Sequence, residues 1–143
     1  MGQIVVGVDG SEGSHQALQW AAREASLRGA TLDVIHAYEP STKSIESISS
    51  PGQAEQVLNA PRESAEALLA RLLDGLSGVD AEGHAIESHN PAEALVEKSR
   101  NADMLVVSSR GLGGFKSLML GSVSQQCAHH AECPVVIIRS RGA

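Results

Sequence analysis

Three short runs of consecutive apolar residues constrain the fold of this chain more than any other feature. They cover residues 4–8, 104–107 and 134–138, and they are rich in valine and isoleucine. A strand with one solvated face alternates apolar and polar residues, whereas a strand covered on both faces of a parallel sheet is apolar throughout. The run at 104–107 therefore predicts a strand buried on both faces near the centre of a sheet, and the other two runs predict strands as well, the last of them at an edge.

Helical and strand patterns alternate through the first half of the chain. After the first run, Ser11 or Ser14 can cap a helix, and Gly29 supplies a left-handed stop after residue 28. Residues 31–37 predict a second strand, and the polar stretch 39–53, with two prolines, predicts an exposed loop. Residues 54–76 have a helical pattern, and because proline disrupts a helix interior we expect this helix to start near Pro61.

The second half of the chain continues the alternation. Residues 84–87 predict a polar strand at a sheet edge, and Asn90 followed by Pro91 and Glu93 predicts a helix that ends near residue 101. A glycine-rich loop follows the central strand at 108–114, and a helix is expected over residues 117–130 before the last strand. We predict an open, doubly wound, five-stranded parallel sheet with helices on both faces, which is Rossmann-like, with strand order 3-2-1-4-5.

Charge and composition exclude several classes of function. Acidic residues outnumber basic residues 17 to 11, and a formal net charge of -6 disfavours electrostatic binding to nucleic acid or to an anionic membrane. The chain has one Trp, one Tyr and one Phe, which is too few for base-stacking platforms. No apolar run approaches the roughly 20 residues that span a bilayer, and the N-terminus has no signal-peptide pattern. We expect a cytoplasmic protein whose two cysteines remain thiols.

Two segments at strand ends are candidates for a ligand site. In open α/β sheets ligands bind beyond the carboxyl ends of the strands, where residues 7–11 and 108–114 are expected. Glycines in these segments let backbone N–H groups approach a phosphate closely. Residues 121–124 lie within the last helix or form a second helix start, whose N–H groups also suit an anion. The same glycines are equally consistent with a tight turn. Asp9 taken alone is more typical of a helix cap or a turn residue, and that role is compatible with ligand binding.

Two common phosphate-binding fingerprints do not fit these segments. A Walker sequence needs glycine immediately before its lysine, but Phe115 precedes Lys116. The dinucleotide fingerprint fails because Asp9 stands in the place of its second glycine. The clustered residues His129, His130, Glu132 and Cys133 are too closely spaced to suggest a metal site.

The chain resembles the universal stress protein family from end to end. The resemblance rests on residues 4–11, on residues 90–93 and above all on the stretch from Ser108 to Ser124. The ATP-binding branch of that family carries Gly, two residues, Gly, nine residues, Gly and then Ser or Thr. In this chain the pattern becomes Ser108, Gly111, Gly121 and Ser122, so a serine replaces the first glycine. The resemblance implies one universal stress protein domain over residues 1–143, with an adenine nucleotide alpha hydrolase-like fold.

The resemblance also implies a ligand and its binding residues. The ligand is ATP, with Mg²⁺ or Mn²⁺ on its phosphates. Asp9 would contact the ribose or adenine region, and the backbones of Gly7, Val8 and Ala37 would lie near the base. The ribose and phosphates would be held by Ser108, Ser109, Arg110, Gly111, Leu112, Gly113 and Gly114, and by Gly121, Ser122, Val123 and Ser124.

Three functions stay open at this point. The first is a regulatory stress-response protein that binds ATP and hydrolyses it slowly or not at all, because no acidic residue of the loop is placed to hold Mg²⁺ or orient a water. The second, favoured by Ser108, is a dimeric interaction protein of the same fold that does not bind ATP. The third is an enzyme such as a slow ATPase. The family resemblance implies a homodimer through the last strand, Val135 to Ile138, whose apolar edge would pair with its copy.

Overall fold

The structure is a computed structural model that describes residues 2–40, 51–110 and 121–139. Five parallel strands form one sheet in the order β3-β2-β1-β4-β5. This arrangement confirms the predicted α/β sheet and its strand order, with β3 and β5 at the edges. The strands are β1 (Gln3–Gly7), β2 (Thr31–Tyr38), β3 (Asp80–Glu87), β4 (Met104–Ser108) and β5 (Val135–Ile138); the helices are α1 (Glu12–Arg28), α2 (Pro51–Asp74), α3 (Pro91–Lys98) and α4 (Ser122–His130).

The two faces of the sheet have separate cores. Ile4 and Val6 of β1 point to the face that α1 and α2 cover, and Val5 points to the face that α3 and α4 cover. All three side chains are fully buried, and each such burial stabilises the fold by about 1.5–3 kcal/mol. This double coverage is the reason that β1 is apolar along its whole length.

Side chains at the helix ends fix where α1 and α3 begin. Ser11, and not Ser14, is the N-cap of α1, and its Oγ accepts from the Ser14 amide at 3.2 Å. Asn90 Oδ1 accepts from the Glu93 amide at 3.2 Å and caps α3 in front of Pro91. The predicted left-handed stop of α1 is confirmed, because Gly29 has a φ of 65°.

The prediction that α2 starts near Pro61 is wrong. The helix begins at Pro51 and contains Pro61, so the predicted loop over 39–53 also ends too late. Ala54, Val57, Pro61 and Ala65 are all at least half-buried, and their spacing of three or four residues continues through the proline. The apolar stripe therefore overrides the local preference of proline to end a helix. Residues 41–50 of the predicted loop lie outside the described residues.

Two other predicted boundaries are also corrected. β3 begins at Asp80 rather than at residue 84, because backbone pairing with β2 runs from Thr31↔Asp80 to Tyr38↔Glu87 and does not require apolar side chains. The described part of the last helix starts at Ser122, with Gly121 as its N-cap, and residues 117–120 lie outside the described residues. Within the described ranges, none of the helices has the length and apolar character needed to cross a membrane.

Candidate functional site

The carboxyl ends of β1, β2 and β4 border a cavity of about 220 Å³. Its apolar wall contains Ile35, Leu95 and Val107, which belong to the core on the α3 and α4 face of the sheet. The N-termini of α3 and α4, at Pro91 and Gly121, complete its rim. The cavity thus lies where an open α/β sheet commonly binds a ligand.

The structure brings together at this cavity every predicted site residue that it describes. Gly111, Leu112, Gly113 and Gly114 lie outside the described residues. The period of two along a strand would have found Ile35 and Val107, which precede Ala37 and Ser109 by two residues on the same face. The predicted residues that line the cavity are Gly7, Val8, Asp9, Ala37, Ser108, Ser109, Arg110, Gly121, Ser122, Val123 and Ser124; the lining residues that sequence reasoning missed are Ser14, Ile35, Pro91, Leu95 and Val107.

Asp9 organises the turn between β1 and α1. Its Oδ1 accepts from the Ser11 amide at 2.9 Å and from the Ser11 hydroxyl at 2.5 Å. The Asp9 amide donates to Ser14 Oγ at 3.2 Å, and that hydroxyl donates to the Ser11 carbonyl at 3.0 Å. Gly10 follows with a φ of 84°, which favours glycine. The turn role considered for Asp9 is therefore real, and the same residue also faces the cavity.

The hydrogen-bond ladder between β1 and β2 stops at the cavity. The last paired residues are Gly7 and Ile35, and the Val8 amide still donates to the Ile35 carbonyl at 2.9 Å. In a continued parallel ladder the Ala37 amide would donate to the Val8 carbonyl, but the pairing does not extend that far. His36 Nδ1 instead donates to the Val8 carbonyl at 2.8 Å.

The gap between the two strand ends exposes backbone groups to the cavity. Alternate residues of β2 direct their N–H and C=O groups to β1 and to β3 in turn. Because Ile35 is bonded to β1, Ala37 directs its N–H and C=O to the same side, where β1 has already diverged. Ala37 lines the cavity, so it offers a backbone donor and acceptor side by side.

The end of β4 and the start of α4 are held together. The Gly121 amide donates to the Ser109 carbonyl at 2.6 Å, and the buried Ser124 hydroxyl donates to the same carbonyl at 3.1 Å. A Cβ at position 121 would lie 3.2 Å from that carbonyl oxygen, so the close approach favours glycine. Ser108, which replaces the first motif glycine, donates its hydroxyl to the Arg110 carbonyl at 2.8 Å and thereby braces the turn.

The N-terminus of α4 differs from those of α1 and α3 in its electrostatics. Ser11 and Asn90 cap the other two helices, each of which has a glutamate in its first turn. Gly121 makes no side-chain cap, and the first turn of α4 has no acidic residue. The partial positive charge of the α4 N-terminus is therefore not compensated by its own side chains, and it faces the cavity beside Arg110.

Other reactive side chains lie outside this cavity. In the described ranges, Asp33, Glu82 and His84 place possible metal-ligand atoms within 4.8 Å of one another on β2 and β3, and none of them lines the cavity. Exposed carboxylates commonly cluster without an ion, and we assign this group no function.

Burial raises the pKa of the Cys127 thiol to about 11, with a smaller contribution from Cys133, so Cys127 is not a thiolate nucleophile at neutral pH.

Comparison with known proteins identifies the family of this chain. The model of the universal stress protein family matches residues 1–139. A universal stress protein of Thermus aquaticus is 36% identical over 138 residues, which cover 95% of this chain and 97% of that protein. One from Mycolicibacterium smegmatis is 34% identical and matches 94% of this chain, but this chain spans only 47% of its length.

A solved structure gives the same result. A universal stress protein solved in complex with cAMP has a TM-score of 0.70 and is 30% identical, and the match covers 96% of each chain. The fold and the family match over residues 1–139 agree with the resemblance seen in the sequence. So does the similarity to one relative of about the same length and to one of about twice the length of this chain. The chain belongs to the universal stress protein family.

Proposed function

We propose that this chain is a regulatory nucleotide-binding protein whose cavity binds an adenine nucleotide. The observation that carries the proposal is the divergence of β1 and β2, which turns the N–H and C=O of Ala37 toward the cavity. Adenine presents an amino donor at N6 beside an acceptor at N1, and this pair is complementary to one backbone N–H and C=O. Guanine presents an acceptor at O6 and a donor at N1, so the same backbone edge would face two mismatched groups.

The size of the cavity supports a division of the ligand into two parts. Its volume of about 220 Å³ is below the roughly 300–1,000 Å³ that enclose a drug-sized ligand. We therefore place the base and ribose inside the cavity, against Leu95 and near Asp9. The phosphates lie at the uncapped N-terminus of α4 beside Arg110, where backbone N–H groups stabilise an anion.

The proposed physiological ligand is ATP, with Mg²⁺ or Mn²⁺ on its phosphates, and we propose slow hydrolysis or none. Among the lining residues in the described ranges, Asp9 is the sole carboxylate, and its Oδ1 already accepts two hydrogen bonds from Ser11. Fast phosphoryl transfer needs groups that hold the metal and orient the attacking water. The related protein solved with cAMP supports an adenine nucleotide as the ligand class.

A second candidate function is a dimeric interaction protein that does not bind ATP. Ser108 favours it, because this serine lines the cavity and adds a side chain at the position of the first motif glycine. The hydroxyl is turned toward the Arg110 carbonyl, which favours the nucleotide-binding alternative instead. For both functions we propose a homodimer in which the edge strand β5 pairs with its copy.

The first experiment asks whether the protein holds an adenine nucleotide. Protein purified without added nucleotide is denatured, and released small molecules are identified by mass spectrometry. Calorimetric titration with AMP, ADP, ATP and GTP then measures affinity, and we expect ATP to bind more tightly than GTP. Equal affinities for ATP and GTP would contradict the role of the Ala37 edge, and no binding of any nucleotide would favour the interaction protein.

A pair of variants tests the backbone edge directly. Ala37→Pro removes the backbone N–H of residue 37, and Ala37→Gly keeps it. In the parent protein this N–H makes no hydrogen bond to β3. Loss of this donor should weaken ATP binding about tenfold or more, because the base acceptor would be left unpaired. The glycine variant should bind within about threefold of the parent protein, since it retains the hydrogen bond. Equal affinity in the two folded variants would remove Ala37 from the site.

A further inference from the structure

We propose that His36 is a positioning residue that keeps the base-binding edge of β2 open. Its ring N–H donates to the Val8 carbonyl, which is the acceptor that the Ala37 amide would need in order to extend the ladder to β1. The part of this inference that concerns ligand affinity rests on the proposed nucleotide-binding function. The part that concerns the backbone does not.

The register of the two strands leads to this inference. The Val8 amide donates to the Ile35 carbonyl, which makes the Ala37 amide the next donor in a continued parallel ladder. Its acceptor would be the Val8 carbonyl, to which His36 Nδ1 donates at 2.8 Å. A carbonyl only accepts, so Nδ1 carries the proton of the ring. The side chain of His36 therefore replaces one backbone rung of the sheet.

His36 acts without touching the cavity. Val34 and Val8 belong to the core on the α1 and α2 face, and the period of two along β2 places the His36 ring on that face. The apolar wall of the cavity, with Ile35, Leu95 and Val107, lies on the opposite face, and His36 is not among the lining residues. Any effect of His36 on ligand binding must therefore pass through the backbone of Val8 and Ala37.

The buried position of Val8 explains why loss of the histidine should close the gap. Val8 is 5% exposed, and a buried carbonyl without a donor destabilises the fold. The next donor in the register of the two strands is the Ala37 amide, which the strand alternation already directs toward β1. Closure of this rung would turn the same N–H away from a bound base.

The first test measures the backbone in the absence of ligand. Amide hydrogen exchange of Ala37 is measured by NMR in the parent protein, in His36→Leu and in His36→Asn, with the Ile35 amide as an internal reference. We expect Ala37 to exchange about tenfold more slowly relative to Ile35 in the leucine variant, because its amide gains a partner. Asparagine offers a side-chain N–H near the position of Nδ1 and should restore the parent rate. If the ratio of the Ala37 exchange rate to the Ile35 exchange rate is the same in His36→Leu as in the parent protein, the inference is overturned.

One further measurement is independent of variant folding and of the ligand, and a second tests the consequence for ATP binding. In the parent protein, a scalar coupling across the hydrogen bond from His36 Nδ1 to the Val8 carbonyl carbon is expected, and a neutral ring protonated at Nε2 alone would overturn the inference. ATP affinity should fall about tenfold in His36→Leu and recover in His36→Asn. If the parent protein binds no adenine nucleotide, the proposed function fails while the exchange experiment still decides the role of His36.

Discussion

The contact between Gly7 and Leu95 gives a quantitative test of how the cavity wall is packed. A Cβ at position 7 would lie 2.7 Å from one Leu95 methyl carbon and 3.0 Å from the other. Carbon atoms in van der Waals contact are about 3.5–4.0 Å apart, so the leucine must move in Gly7→Ala. Leu95 is 4% exposed, but it also lines the cavity, so its terminal methyl groups can shift into that space.

The expected stability changes follow from this geometry. Gly7→Ala makes these terminal methyl groups shift toward the cavity, which costs about 1 kcal/mol, the lower end of the range for overpacking, and alanine recovers about 0.5–1 kcal/mol of strand preference over glycine. Leu95→Ala removes a buried side chain and should cost about 2–5 kcal/mol. In the double variant the new methyl enters the space that the leucine vacated. The double variant should therefore lose about 1 kcal/mol less than the sum of the single variants.

Urea denaturation of the parent protein and the three variants measures this coupling, provided that the four m-values agree. Gly7→Ala combined with Leu69→Ala is the matched control, because Leu69 is equally buried in the core on the opposite face. We expect the control pair to be additive within about 0.5 kcal/mol. Additivity of the same size in the Gly7 and Leu95 pair would refute the proposed contact.

Three other predictions test local features. Pro61→Ala should raise the free energy of unfolding by up to about 3 kcal/mol, because the helix runs through this position; an unchanged or lower value in urea denaturation would support a helix that starts there. Ser11→Ala should lower the free energy of unfolding by about 1 kcal/mol through loss of the α1 cap, whereas Ser11→Thr should be nearly neutral in the same assay. Iodoacetamide at pH 8 should label Cys133 and spare Cys127, whose raised pKa of about 11 leaves few thiolates, and equal labelling of the folded protein would contradict this burial.

Most of the fold could be predicted from the sequence because its local signals agree with one another. The apolar run at β4 indicated a strand buried on both faces, the run at β1 indicated a strand that enters a turn, and Asn90 followed by Pro91 marked the start of α3. The start of α2 was missed although residues 54–76 show a helical pattern, because proline locally favours a helix end and the apolar stripe overrides that preference at Pro61. The extent of β3 was missed for a similar reason, since its first residues pair through the backbone without an apolar pattern.

The site was predictable only in part. Glycines and small polar residues at two strand ends indicated the segments that meet at the cavity, and the motif spacing indicated Gly121. Ser14 and Pro91 line the cavity because of how α1 and α3 approach it, and such tertiary positions have no local pattern. The contact of His36 with Val8 was invisible for the same reason, because the register of two strands determines it.

The hydrogen bond between the Ser109 amide and the Ile138 carbonyl, at 2.8 Å, has a consequence for assembly. This bond joins the first residue after β4, which lines the cavity, to the last residue of the edge strand β5. One backbone hydrogen bond therefore connects the cavity rim to the edge of the sheet. If a second subunit or another partner bound to the edge of β5 and shifted Ile138, it would also change the position of Ser109 at the cavity rim. Thermodynamic reciprocity then requires that a ligand sensitive to this shift alter the partner's affinity by the same factor.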